Sequence, residues 1–133
     1  MSPSLLLDTH ILIRWLSAPK LLTQEQRRTI DRSIRRREQV GISAVTLLEF
    51  AMLVGDRKLK IHQPLDQLLD SLKFNQQIQV FPITFEIALE SSYLGILRDP
   101  ADRSIVATAR VHGLRLLTSD QRILSTNLVS AIH

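Results

Sequence analysis

An α/β domain with a mostly parallel central sheet, flanked by helices in three layers, is the fold this sequence predicts. Two observations carry that prediction. Short apolar runs of strand length recur along the chain, and stretches with helical spacing or helix-capping signals separate them. Strands alternating with helices make parallel crossovers, whose sheet is covered on both faces.

The elements follow in order. Residues 4–7, SLLL, form a strand that ends at Asp8, and ILIRWL then suits a helix ending near Pro19. From Thr23 to Gln39 the chain is polar and rich in Arg, Gln and Glu, with Ile30 and Ile34 as its few apolar anchors. That composition predicts an exposed helix acting as a surface arm. VGIS at 40–43 is the second strand, and Ser43 is placed to cap a helix through AVTLLEFAMLV to Gly55. DRKLKIHQ reads as a loop, after which Pro64 can start a helix with Leu65, Leu68, Leu69 and Leu72 on one face. IQVF at 78–81 is the third strand, and Thr84 can cap a helix through EIALESSYLGIL. Pro100 opens the next helix, which ends at Gly113. LRLLT at 114–118 is the fourth strand, QRIL a turn or short helix, and LVSAI a last edge strand.

The chain has 133 residues, 44% of them hydrophobic and 23% charged, which suits one folded domain over residues 1–133. It has no cysteine, so disulfides, thiolate zinc and iron–sulfur clusters are excluded and any metal must sit on oxygen or imidazole. The apolar N-terminal run is broken by Asp8, His10 and Arg14 and reads as a core element. No stretch approaches the roughly 20 apolar residues of a spanning helix, so a cytoplasmic protein without a membrane partner is expected. The formal charge is +4, and Arg27, Arg28, Arg32, Arg35, Arg36 and Arg37 crowd one segment against Glu25, Asp31 and Glu38. That segment fits a solvated helix face with pairs such as Asp31 with Arg35 as well as it fits RNA contact.

The acids carry more information. In open parallel sheets, ligands bind at the carboxyl ends of the strands. Asp8 ends LLL and Asp120 follows LLT by two residues, so both project from the same sheet edge. Glu49 interrupts a helix apolar on almost every side, with no basic residue one turn away at 45, 46, 52 or 53. It needs a cation, a wet cleft or a distant Arg, since an unpaired buried carboxylate is costly. In LRDPADRS, Asp99 reads as a helix N-cap, and Asp102, the third helical residue, also suits the helix dipole. Yet Asp102 shares a face with Ile105, Val106 and Ala109, which points it toward the sheet. Four acids meeting at one edge would repel one another unless a divalent cation neutralised them, and Mg2+ or Mn2+ is the natural occupant of an all-oxygen site.

These residues resemble the PIN-domain ribonucleases of the VapC toxin type. The similarity covers nearly the whole chain: LLLDTHILIRWL, SAVTLLEFAML, RDPADRSIVATAR and LLTSDQRIL occur in the family's order and spacing, DPADR and LLTSD being the more specific pieces. The resemblance implies a Mg2+-dependent endoribonuclease whose catalytic, metal-holding acids are Asp8, Glu49, Asp102 and Asp120. It implies supporting positions at Thr9, Thr118 and Ser119, with Asp99 beside Asp102. Its expected partners are RNA, a cognate antitoxin and a second copy of the chain. His10 stands where many relatives carry Asn, which favours a helix-start or packing role over ligation. Arg103 is expected to pair with Asp99 or touch substrate phosphate. Trp15 and Phe50 are expected in the core or a dimer contact, and His62, His112 and His133 at the surface. The competing readings are a non-catalytic PIN-like RNA-binding or interaction module and a phosphatase using Asp8 as nucleophile. The complete set of acids disfavours the first, and His10 in place of a second Asp disfavours the other.

Overall fold

The computed structural model describes residues 2–133. Strands β1 (Leu5–Leu7), β2 (Val40–Ser43), β3 (Ile78–Phe81), β4 (Arg115–Leu117) and β5 (Ala131–Ile132) form one sheet in the order β3-β2-β1-β4-β5. Every pairing is parallel. The helices are α1 (Thr9–Ser17), α2 (Gln24–Arg35), α3 (Ala44–Gly55), α4 (Leu65–Lys73), α5 (Phe85–Ser92), α6 (Pro100–His112) and α7 (Gln121–Leu124), with a short 3-10 turn at Pro19–Leu21.

The sheet separates two apolar layers because successive strand side chains point to opposite faces. Leu6 and Leu116 face Ile87 of α5, Ile105, Val106 and Ala109 of α6, and Ile123 of α7. Leu5, Leu7 and Leu117 face Ile11 and Leu12 of α1, Ile30 of α2 and Leu72 of α4. All three β1 leucines are fully buried, as expected of a central strand covered twice. Gly41 of β2 is required by the packing here. A Cβ at that position would lie 2.6 Å from the Phe81 ring and 3.2 Å from the Leu5 carbonyl oxygen.

The predicted strands and cap residues stand where expected. Ser43 accepts from the Val45 N–H, Thr84 from the Ile87 N–H and Asp99 from the Ala101 N–H. Gly113 ends α6 at φ 65°, a left-handed conformation that glycine adopts without strain. Pro64 caps α4 one residue before its first helical position.

Three expectations need correction. Segment 23–39 is not a surface arm, for α2 buries Gln26, Thr29, Ile30 and Ser33. Polar side chains can line a buried stripe when their hydrogen bonds are met. Gln26 meets its own by accepting from the Thr23 N–H at 2.9 Å and donating to Ser119 Oγ at 2.8 Å, and Thr29 donates to the Glu25 carbonyl. The Asp31–Arg35 ion pair does not form among the described residues. Finally, α5 stops at Ser92 instead of running to Leu97. The chain continues in tight turns, with Tyr93 N–H bonded to Glu90 and Leu97 N–H to Leu94, that bring Leu94 and Leu97 into the core.

Candidate active site

The strand order reverses at β1, since the chain builds β1, β2 and β3 outward on one side and then places β4 on the other. Helices on either side of such a point diverge and leave a crevice at the carboxyl ends of the strands. Asp8 immediately follows β1 and Asp120 follows β4 by three residues, so both enter this crevice. The Asp8 N–H donates to the Leu117 carbonyl at 3.0 Å, tying the two strand ends together.

Asp8 is the N-cap of α1 and is buried. Its Oδ1 accepts from the Thr9 N–H at 2.7 Å, and its Oδ2 from the Thr118 hydroxyl at 2.7 Å. Thr118 Oγ1 in turn accepts from the Asp120 N–H at 3.0 Å, so one buried hydroxyl sets the spacing of the two strand-end acids. Thr9 plays the corresponding part on the other side. Its hydroxyl donates to Glu49 Oε1 at 2.5 Å and lies 3.0 Å from Thr46 Oγ1. Because the single Thr9 proton goes to the carboxylate, Thr46 is the donor of that second bond. Thr46, Thr9 and Glu49 therefore form a chain that carries α3 into the site. Glu49 Oε2 has no hydrogen-bond partner among the described residues.

Asp102 enters from the first turn of α6 and is 8% exposed, facing inward as its helical spacing indicates. Burial raises its pKa from 3.8 to about 6, helped by the negative charges of Asp99, Asp120 and Asp8 and opposed by Arg122. Asp120 moves the other way. Its pKa is lowered chiefly by the side-chain hydrogen bond from Arg122, against some desolvation, with a smaller contribution from His10. Arg122 Nη2 lies 2.9 Å from Asp120 Oδ2 and 3.4 Å from Asp102 Oδ2.

The remaining expectations fall as follows. Asp99 caps α6 and acts on Asp102 only through its charge. Ser119 is exposed and touches no acid, accepting instead from Gln26 Nε2 at 2.8 Å and from Arg14 Nη1 at 3.5 Å. Arg103 does not pair with Asp99, because its guanidinium is occupied by the backbone carbonyls of Leu97 and Gly95 in the turn before α6. His10 is exposed, Phe50 is buried, and His112 stacks obliquely on Phe81 with ring centroids 4.5 Å apart. Thr46, Gln26 and Arg122 join the site without having been expected there. Thr46 carries a signal in hindsight, three residues before Glu49 and so on the same helical face. Gln26 was legible as the partner of Thr23 in a capping box.

An all-oxygen set of acids, mutually repelling and already drawing a guanidinium between two of them, suits a hard divalent cation. As they stand, no three acidic or imidazole side chains among the described residues surround one point closely enough to hold a metal ion. The acids would have to close in around it. Replacing Thr118 with Val keeps the side-chain shape but leaves Asp8 Oδ2 and the Asp120 N–H without their shared partner. Thr118→Val should therefore destabilise the fold by about 1 to 3 kcal/mol, read by urea unfolding, because a buried polar group that loses its partner costs on that scale.

The fold and this crevice define a parallel α/β protein with a carboxylate-lined cleft at the switch point of its sheet. The PIN domain family model matches residues 5–127. The chain is 31% identical over 127 residues to Ribonuclease VapC22 of Mycobacterium tuberculosis, covering 92% of this chain and 91% of that protein. It belongs to the PIN-domain family. Solved structures share the fold over nearly its whole length. A toxin-antitoxin complex from Klebsiella pneumoniae superposes with a TM-score of 0.67 at 24% identity, covering 98% of this chain and 97% of that one. VapBC2 from Rickettsia felis, bound to a DNA fragment from its promoter, gives 0.70 at 15% identity, covering 96% of each chain.

Proposed function

We propose that this chain is a divalent-metal-dependent endoribonuclease, the toxin of a VapBC-type toxin–antitoxin pair, with Asp8, Glu49, Asp102 and Asp120 as its catalytic acids. One observation carries the reading: acids from four separate elements line the crevice at the switch point, and buried hydroxyls hold three of them in register. Asp8 and Asp120 would hold the ion from the sheet, with Asp102 and Glu49 completing the donor set from α6 and α3. Bound there, Mg2+ would supply charge stabilisation at the scissile phosphate and acidify the attacking water. Thr9 and Thr118 orient the carboxylates, and the buried floor of Leu7 and Leu117 limits water beneath them. Ionised Asp102 is required in this role, since a neutral carboxyl is a poor metal ligand.

The relative named as a ribonuclease supports RNA as the substrate, and the superposed toxin-antitoxin complex supports an antitoxin partner. A second copy of the chain is the further expected partner. Phe85, Leu89, Tyr93 and Ile96 are exposed on and just after α5, an apolar surface of the kind that self-association covers. No helix among the described residues is long and apolar enough to cross a membrane. Purified protein should cleave single-stranded RNA internally with Mg2+, lose that activity in EDTA and regain it when Mg2+ is restored. RNA bound without cleavage in Mg2+ would overturn the assignment.

A further inference from the structure

We propose that Arg122 is a built-in counter-ion of the acidic cleft, a guanidinium that holds the place of the divalent cation and is displaced when the ion enters. The proposal rests on the metal-dependent reading above and adds to it a residue that competes for the site.

The geometry is that of a cation closing a cluster of negative charge. Arg122 lies in the first turn of α7, two residues after Asp120, and grips that carboxylate with both edges of its fork, Nε at 3.2 Å from Oδ1 and Nη2 at 2.9 Å from Oδ2. The same Nη2 reaches Asp102 Oδ2 at 3.4 Å, so one nitrogen bridges acids from two elements that approach each other only in the folded chain. A planar guanidinium can engage a carboxylate in this two-point way, whereas lysine offers only a compact point charge.

The contact is also built to be lost. The Arg122 side chain is 70% exposed, and exposed ion pairs are weak. A divalent ion brings twice the charge to the same oxygens. Arg122 therefore lowers the repulsion among the acids while the site is empty of metal, and its release is the cost of ion entry.

Titration of Mn2+ into the full-length protein, followed by calorimetry with electron paramagnetic resonance of free Mn2+, tests this. Arg122→Gln should bind Mn2+ roughly three- to tenfold more tightly than the wild type, the scale set by one or two exposed ion pairs. Arg122→Lys, which keeps the charge but loses the two-point grip, should bind Mn2+ more tightly than the wild type and less tightly than Arg122→Gln. Asp102→Asn serves as the control for the underlying reading and should bind Mn2+ more weakly. Equal or weaker binding by Arg122→Gln, with Asp102→Asn still weakened, overturns the counter-ion and leaves the metal site standing. If neither Asp102→Asn nor Asp8→Asn weakens binding, the cleft is not the metal site and both fail. Circular dichroism of each variant checks that it is folded before its binding is compared.

Discussion

Asp102→Asn should reduce Mg2+-dependent RNA cleavage about a hundred- to a thousandfold at neutral pH, the scale expected when a charged group at the reacting centre is removed. The same change should not destabilise the metal-free protein. Folding raises the Asp102 pKa from 3.8 to about 6, so the fold favours the neutral acid, which Asn imitates in shape. A raised carboxyl pKa contributes stability that is fully present below the unfolded value, near 3.8, and is lost as pH rises through about 6. Above that pH the wild type has given up this contribution, whereas the Asn variant carries no charge to bury. Its melting temperature at pH 7 should equal or exceed that of the metal-free wild type. Because the metal-free carboxyl holds its proton up to about pH 6, binding of a divalent ion should weaken as pH falls below that value, with a proton released on binding. Melting curves and Mn2+ titrations at pH 5 and pH 7 check both statements. Undiminished cleavage by the folded variant would remove Asp102 from the mechanism.

Leu6→Ala should carry a large cost in stability. Leu6 is fully buried at the centre of β1, between β2 and β4, and packs against α5 and α6. Emptying such a site costs about 3 to 5 kcal/mol, because the lost transfer energy adds to that of a cavity that rigid neighbours cannot close. For a chain of this size that amounts to a fall in melting temperature of roughly 10 °C or more. Urea unfolding should show a lower midpoint with an unchanged slope. A loss under about 1 kcal/mol would mean that the helices on that face relax into the space.

Much of the fold was legible because its signals are local. Strand runs, the caps at Ser43, Thr84 and Asp99 and the stop at Gly113 each depend on residues within one turn of one another. The misreadings have a shared cause. Segment 23–39 reads as a surface arm because Gln26, Thr29 and Ser33 are polar, yet each lies on the buried stripe of α2. Whether a polar side chain can be buried depends on its partners, and Ser119, the partner of Gln26, is 93 residues away. Nearness in sequence favours Asp99 as a partner of Arg103, whereas the turn after α5 offers it carbonyls instead. The early end of α5 likewise reflects the burial of Leu94 and Leu97, which nothing within EIALESSYLGIL announces.

The same division runs through the site. By itself the sequence determined which acids end strands and which one faces inward on α6, because strand ends and helical faces follow from short-range periodicity. It also determined that any metal would meet oxygen or imidazole, there being no cysteine. Only the tertiary structure decided that Thr118 joins Asp8 to Asp120, that Thr9 joins Asp8 to Glu49, and that Arg122 lies between Asp102 and Asp120. Those links span up to 110 residues, and directional bonds of 2.5 to 3.4 Å are set by how the strands and helices pack, which no local pattern encodes.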